Sequence, residues 1–180
     1  MSRQTKIILL IAVGISLVSC CIAAIGMVFL FNQAITWDPN RTASIGKQIA
    51  DFDLPSDYTI KGGTNVLGII GIRITNKSGK NTIWLNQGKT KGTSPDAYLR
   101  SVTAVNYRGV EWKAVQTKSV TIRGEETSLT IYTGTGPDGH RYHAWACAFT
   151  GKGGPAKLII AAPEETWDED AMQAFADSIH

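Results

Sequence analysis

Residues 131–149 read IYTGTGPDGHRYHAWACAF, and within them Gly134, Gly136 and Gly139 fall at the G-x-G-x-x-G spacing of a dinucleotide-binding turn. Such a turn needs a strand before the glycines and a helix after them, so that the helix's first amides meet a pyrophosphate. Here residues 140–149 alternate as a strand does. Pro137 fixes its own φ and removes an amide donor, while Pro137-Asp138-Gly139 suits a tight connection between antiparallel strands. The glycines therefore predict a hairpin loop, and with it an antiparallel sheet.

Working outward, the same periodicity predicts further strands. In residues 65–75, Val66, Gly68, Ile70, Ile72 and Ile74 alternate with other residues, giving one strand with an apolar face. A turn at residues 77–80 leads into a returning strand, NTIWLNQ, at 81–87. Strands are also expected near 114–122, 128–133 and 141–149. The apolar run KLIIAAP at 157–163, stopped by Pro163, reads as a buried strand. Two helices interrupt the series. One starts at Ser94 as N-cap with Pro95 in its first turn and Leu99, Val102 and Val105 on its apolar side. The other follows a capping box at Thr166-Trp167-Asp168-Glu169 and buries Met172, Phe175 and Ile179. An antiparallel sheet packed by helices is an α+β domain.

Ahead of this domain, residues 7–31 form an uncharged run of 25 residues, IILLIAVGISLVSCCIAAIGMVFLF. As a helix it would be about 37 Å long, enough to cross a hydrocarbon core of about 30 Å. Trp37 follows as an interfacial anchor. Leu17-Val18-Ser19-Cys20 also matches a lipoprotein cleavage site, which would place a lipid on Cys20; cleavage there would leave eleven apolar residues at the new N-terminus. An uncleaved span is the favoured reading. Arg3 and Lys6 crowd its N-terminal flank, so the N-terminus is expected inside and the domain outside the cytoplasm. The expected organisation is a cytoplasmic stretch at 1–6, a transmembrane helix at 7–31, a linker at 32–50 containing a helical turn around ASIGKQIADF, and an extracytoplasmic domain at 51–180.

Cys20 and Cys21 fall in the apolar run, which leaves Cys147 alone in the domain and permits no internal disulfide there. Residues 61–123 carry eleven basic and two acidic side chains, whereas 124–180 carry three basic and nine acidic. Two arrangements are compatible with that asymmetry: one basic face for anionic lipid headgroups or an acidic partner, or strands from both halves interleaving so that the charges mix.

Chemistry-bearing patterns are few. His140, His143 and Cys147 suggest a metal site, but on a strand His143, Trp145, Cys147 and Phe149 share one face and His140 does not. The acidic group Glu164, Glu165, Asp168, Glu169 and Asp170 lies where carboxylates complement a helix start, and it lacks the calcium-loop pattern. Ser44-Ile45-Gly46-Lys47 is an S-x-x-K without the motifs that accompany it in β-lactamases. No catalytic, cofactor-binding or metal-binding residue is assigned, and no nucleic-acid partner is expected.

Taken in order, DFDLPSDYTI at 51–60, the hairpins, the mid-domain helix, GPDGHRYHAWACAF, the apolar strand and the closing MQAFADSIH resemble the α/β/α domains of the photosystem II extrinsic-subunit family. The resemblance covers residues 51–180 and rests on element order. It implies a non-enzymatic role in binding or assembly. The membrane run departs from that pattern, and no functional residue of the family maps onto this chain. A binding domain would use the sheet face or exposed aromatics, with Trp84, Tyr107 or Trp112 as candidates although ordinary core is the favoured reading for them, against another membrane or extracytoplasmic protein; alternatively, a pocket or the basic segment 61–123 would take a small ligand or anionic lipid. An enzyme assembled from scattered residues is the remaining reading.

Overall fold

The computed structural model describes residues 34–66, 68–88 and 93–180. The expected membrane span at 7–31 and Cys20 lie outside the described residues. Among the described residues no helix is long and apolar enough to cross a membrane. Thr36–His180 forms one compact unit.

The elements are β1 (Ile35–Thr36), α1 (Pro39–Ile49), β2 (Tyr58–Val66), β3 (Ile69–Asn76), β4 (Thr82–Gln87), α2 (Pro95–Asn106), β5 (Glu111–Ile122), β6 (Glu125–Thr135), β7 (Arg141–Gly151), β8 (Gly154–Pro163), a 3-10 turn (Glu164–Thr166) and α3 (Glu169–Asp177). The sheet runs β1-β2-β3-β4-β8-β7-β6-β5, and each ladder from β2 to β5 is antiparallel. Two meanders, β2-β3-β4 and β5-β6-β7-β8, meet where β8 pairs with β4. That placement explains the apolar run at 157–163: a central strand covered on both faces has little use for alternation.

Strand parity divides the side chains between two cores. On one face Ile72, Ile74, Ile83, Leu85, Leu158, Ile160, Trp145, Cys147 and Leu129 pack with Ile45 and Ile49 of α1 and with Met172, Phe175 and Ile179 near the chain's end. On the other face Trp84, Ile159, Ala144, Ala146, Tyr132 and Trp112 pack with Leu99 of α2 and with Tyr107. The result is three layers, helix on sheet on helix, with α1 over β2–β4, α3 against β5 and α2 over β7 and β8.

Among the described residues, each of the three α-helices begins as capping chemistry dictates. Asp38 Oδ1 accepts from the Arg41 amide at 2.8 Å, Ser94 Oγ from the Ala97 amide at 3.1 Å, and Asp168 Oδ1 from the Ala171 amide at 3.0 Å.

The structure corrects several expectations. Residues 32–50 are not merely a linker: Pro39–Ile49 is a three-turn helix whose Ile45 and Ile49 are buried in the core. Residues 65–75 are not one strand but the meeting of β2 and β3, because Gly68 adopts a φ of 81° and lets the chain reverse. The last helix is capped by Asp168, not Thr166, whose hydroxyl is engaged elsewhere. Val105 is 84% exposed: α2 presents Leu99 and Thr103 to the sheet, and Val105 lies beyond the covered arc.

The hairpin at the opening stretch is as the sequence predicts. The Gly136 amide donates to the His140 carbonyl at 2.9 Å, the Gly139 amide to the Gly136 carbonyl at 3.0 Å, and Asp138 Oδ1 accepts from the His140 amide at 3.1 Å. Gly139 has a φ of 81°, and Gly134 lies directly under Val110 and the Trp112 ring, where a Cβ has no room. The three glycines serve a turn and a close packing contact; a strand follows them, so no helix N-terminus is there to hold a phosphate.

Candidate functional site

Four connections converge at one end of the sheet: the β3–β4 turn, the C-terminal end of α2, the β6–β7 loop and the link from β8 to α3. Between them lies a cleft of about 340 Å³, bounded by Lys80, Asn106, Tyr107, His140, Tyr142 and Glu165, with Gly79 and Pro163. Lys80 and His140 bring donors, Glu165 a carboxylate, and the tyrosines apolar faces with polar tips.

Tyr107 organises this end. Its hydroxyl lies 2.5 Å from the Lys80 carbonyl and 2.7 Å from the Ala161 carbonyl, so its single proton is shared between the β3–β4 turn and β8. Burial pushes the phenol well above the usual tyrosine range, which keeps that proton in place. Its ring meets Tyr142 edge-on at 5.5 Å and Trp112 at 6.1 Å. Trp112 Nε1 in turn donates to Thr103 Oγ1 at 3.1 Å, fixing α2 to β5. Tyr142 is also pushed upward, by burial first and then by the carboxylates of Asp138 and Glu165.

A charged seam runs along the other face of β7. Glu164 receives Arg141 Nε at 3.2 Å and lies 3.5 Å from His143 Nε2. The His143 ring packs on Trp167 at 5.5 Å, and Trp167 meets Trp145 edge-on at 5.5 Å. Lys118 Nζ lies 4.3 Å from the Trp145 ring centre and reaches Gln173 at 3.2 Å and Glu169 at 3.5 Å. The seam holds α3 and its leading turn to β7 and β5.

The residues singled out in the sequence fall as follows. His143 and Cys147 share a face, but Cys147 is fully buried in the core, and burial pushes its thiol up to about 12. His140 lies on the cleft side, away from both. Among the described residues no three His, Cys, Asp or Glu side chains gather to hold a metal ion. Asp168 caps α3, Glu169 and Asp170 occupy its first turn, and Glu164 bonds Arg141. Ser44 and Lys47 lie on the exposed side of α1.

Trp84, Tyr107 and Trp112 are ordinary core, the reading favoured for them: all three are buried in the second core, where they hold α2 and are not free to dock a partner. The basic residues of 61–123 do not form one contiguous strip. Sheet order places Lys61 on β2 and Arg73 on β3 toward one edge, and Lys113 and Lys118 on β5 at the other, while Arg100 lies on α2 and bonds Asp96.

Sequence reasoning passed over Lys80, Asn106 and Tyr142 and read Glu165 only as part of the acidic group before the last helix. They come from four separate connections, and only the pairing of β8 with β4 and β7 brings them together.

No protein-family model matches the chain, and no curated protein matches it. Among solved structures the chain is similar to cyanobacterial PsbP (CyanoP) from Synechocystis sp. PCC 6803, whose structure was determined in solution, at 14% identity with a TM-score of 0.45, over 74% of this chain and 92% of that one. The resemblance read from element order is thus met in a solved structure. No residue's role is carried across from it.

Proposed function

We propose that this chain is a single-pass membrane-anchored protein whose α+β domain lies outside the cytoplasm and works by binding, as an accessory or assembly module rather than an enzyme. The observation that carries the reading is the cleft bounded by Lys80, Tyr107, His140, Tyr142 and Glu165. It is an open surface with both charges and two aromatic rings, held in shape by the shared Tyr107 hydroxyl. Such a surface offers shape and charge complementarity to another protein. Anchoring rests on the 25 uncharged residues at 7–31, and orientation on Arg3 and Lys6 before them.

Capture of the full-length protein from its native membrane, beside the double variant Lys80→Glu, His140→Glu, tests this reading. One stoichiometric partner that is lost with the double variant is the expected result. A partner retained undiminished by the variant would move the binding surface away from the cleft.

The alternative is a domain that binds a small ligand or anionic lipid. It is favoured by a different observation: Arg73 on β3 and Lys157 on β8 share the face of the sheet that carries Trp84 and Ile159.

A further inference from the structure

The connection between β2 and β3 reads Val66-Leu67-Gly68-Ile69 and holds no polar side chain. Hairpin connections ordinarily draw on Gly, Pro, Asn, Asp and Ser, which suit the turn and face water. Here only Gly68 is of that kind, with its φ of 81°. Val66 is 39% and Ile69 41% exposed, and the two are opposite each other in the ladder. They make an apolar tip at the end of the sheet away from the cleft. Because β3 is eight residues long, the tip stands about 23 Å from the β3–β4 turn that borders the cleft.

Trp37 belongs to the same hairpin. It is 69% exposed, and it is the one aromatic among the exposed large apolar side chains of the described residues. Its ring lies against Gly62 of β2, where a Cβ would stand 2.9 Å from a ring carbon, so glycine is what seats it. Gly62 precedes Val66 by four residues, about 13 Å along the strand. Phe31, the last residue of the uncharged run, precedes Trp37 by six positions. Trp37 therefore stands within about 21 Å of the end of that run, whatever path the chain takes between. An indole beside a span sits at headgroup level, and β2 has to follow it there. Charge agrees with that placement. Residues 58–95 carry Lys61, Arg73, Lys77, Lys80, Lys89 and Lys91 and no carboxylate. Lys61, next to Gly62, is exposed, and no acid on β2, β3 or β4 opposes an anionic surface.

We propose that the β2–β3 tip, with Trp37 seated on β2, docks the domain on the anionic bilayer surface that holds the chain's own span. Val66 and Ile69 enter the boundary between headgroups and acyl chains, Trp37 lies among the headgroups, and Lys61 meets lipid phosphates. So small an apolar tip binds a free bilayer weakly, but the span makes the contact intramolecular and raises its effective concentration. The cleft, at the opposite end of the sheet, is thereby turned away from the bilayer, where an extracytoplasmic partner has access to it. The docking rests on the anchored reading given above, and its test separates the two.

The test uses the full-length chain, labelled at Val and Ile methyl groups, in phosphatidylcholine nanodiscs with and without phosphatidylglycerol. Added phosphatidylcholine with a doxyl spin label high on its acyl chain broadens the NMR signals of methyl groups near the headgroup boundary. With phosphatidylglycerol present, the Val66 and Ile69 signals are expected to lose about half their intensity or more, and without it less. Val105, 84% exposed at the cleft end of α2, is expected to keep its intensity. Val66→Asp, at an exposed position, is expected to restore the Ile69 signal. Unchanged Val66 and Ile69 signals, broadening that Val105 shares, or broadening indifferent to phosphatidylglycerol overturns the docking and leaves the anchor in place. A chain that separates from the discs in high salt overturns the anchor, and the docking with it.

Discussion

Asn81 and Thr166 hold each other across 85 positions of sequence: Asn81 Nδ2 donates to the Thr166 carbonyl at 2.8 Å, and the Thr166 hydroxyl donates to Asn81 Oδ1 at 2.6 Å. Asn81 is itself buried, at the start of β4. The pair ties the β3–β4 turn to the link before α3, two of the four segments that frame the cleft. Because each group is the other's partner, removing one leaves a buried amide or carbonyl unsatisfied. Asn81→Ala is expected to lower unfolding free energy by about 1–3 kcal/mol, read from the denaturant midpoint.

The glycines of the opening stretch should separate by mechanism. Gly134→Ala puts a Cβ against Val110 and Trp112 and is expected to cost about 1–3 kcal/mol by overpacking. Gly139→Ala meets open space and costs only the strain of its positive φ, about 1 kcal/mol. Thermal unfolding of the two variants reads the difference; equal and negligible effects would remove the packing role of Gly134.

Phe175 is 1% exposed and meets Phe52 edge-on at 5.7 Å. Phe175→Ala is expected to lose about 3–5 kcal/mol. Val105→Lys, on the uncovered side of α2, should stay within about 0.5 kcal/mol of the parent. Both are read by chemical denaturation.

Alkaline pH should destabilise the fold. Burial raises the Cys147 thiol from its ordinary 9.0 to about 12, so the folded state holds the proton more tightly than the unfolded chain. That stabilisation is complete below about pH 9 and is lost as pH rises toward 12. The Tyr98 and Tyr107 phenols, both raised by burial, act in the same sense. Denaturation midpoints should fall steadily through this window, and native Cys147 should resist thiol reagents at pH 8 until the protein is unfolded.

The parts legible in the sequence are those whose pattern is local. The β6–β7 hairpin follows from Pro137-Asp138-Gly139 and the alternation after it, and β8 follows from its apolar run. The strand β2 was hidden because its YTIKGGTNV carries two glycines and a register shift between Ile60 and Gly62, which break the alternation. Helix α1 was legible only as a turn around ASIGKQIADF, because its hydropathy is weak and Gly46, which lets the Phe52 ring and Ile72 approach closely, interrupts it; Asp38-Pro39 was the signal for its start. The cleft was out of reach because it depends on β8 inserting beside β4, a long-range pairing with no local signature. Lys157 did leave a trace, as the one charge in KLIIAAP.

The central claim, that the sheet-end cleft is where this domain meets a partner protein, is tested most directly by site-specific photo-crosslinking in native membranes. A photoreactive residue is placed at His140 in the cleft and, as a control, at Ser119 on the exposed face of β5. One discrete protein adduct from position 140, absent from position 119, is the predicted result. No adduct from position 140, or the same adducts from both positions, would contradict it.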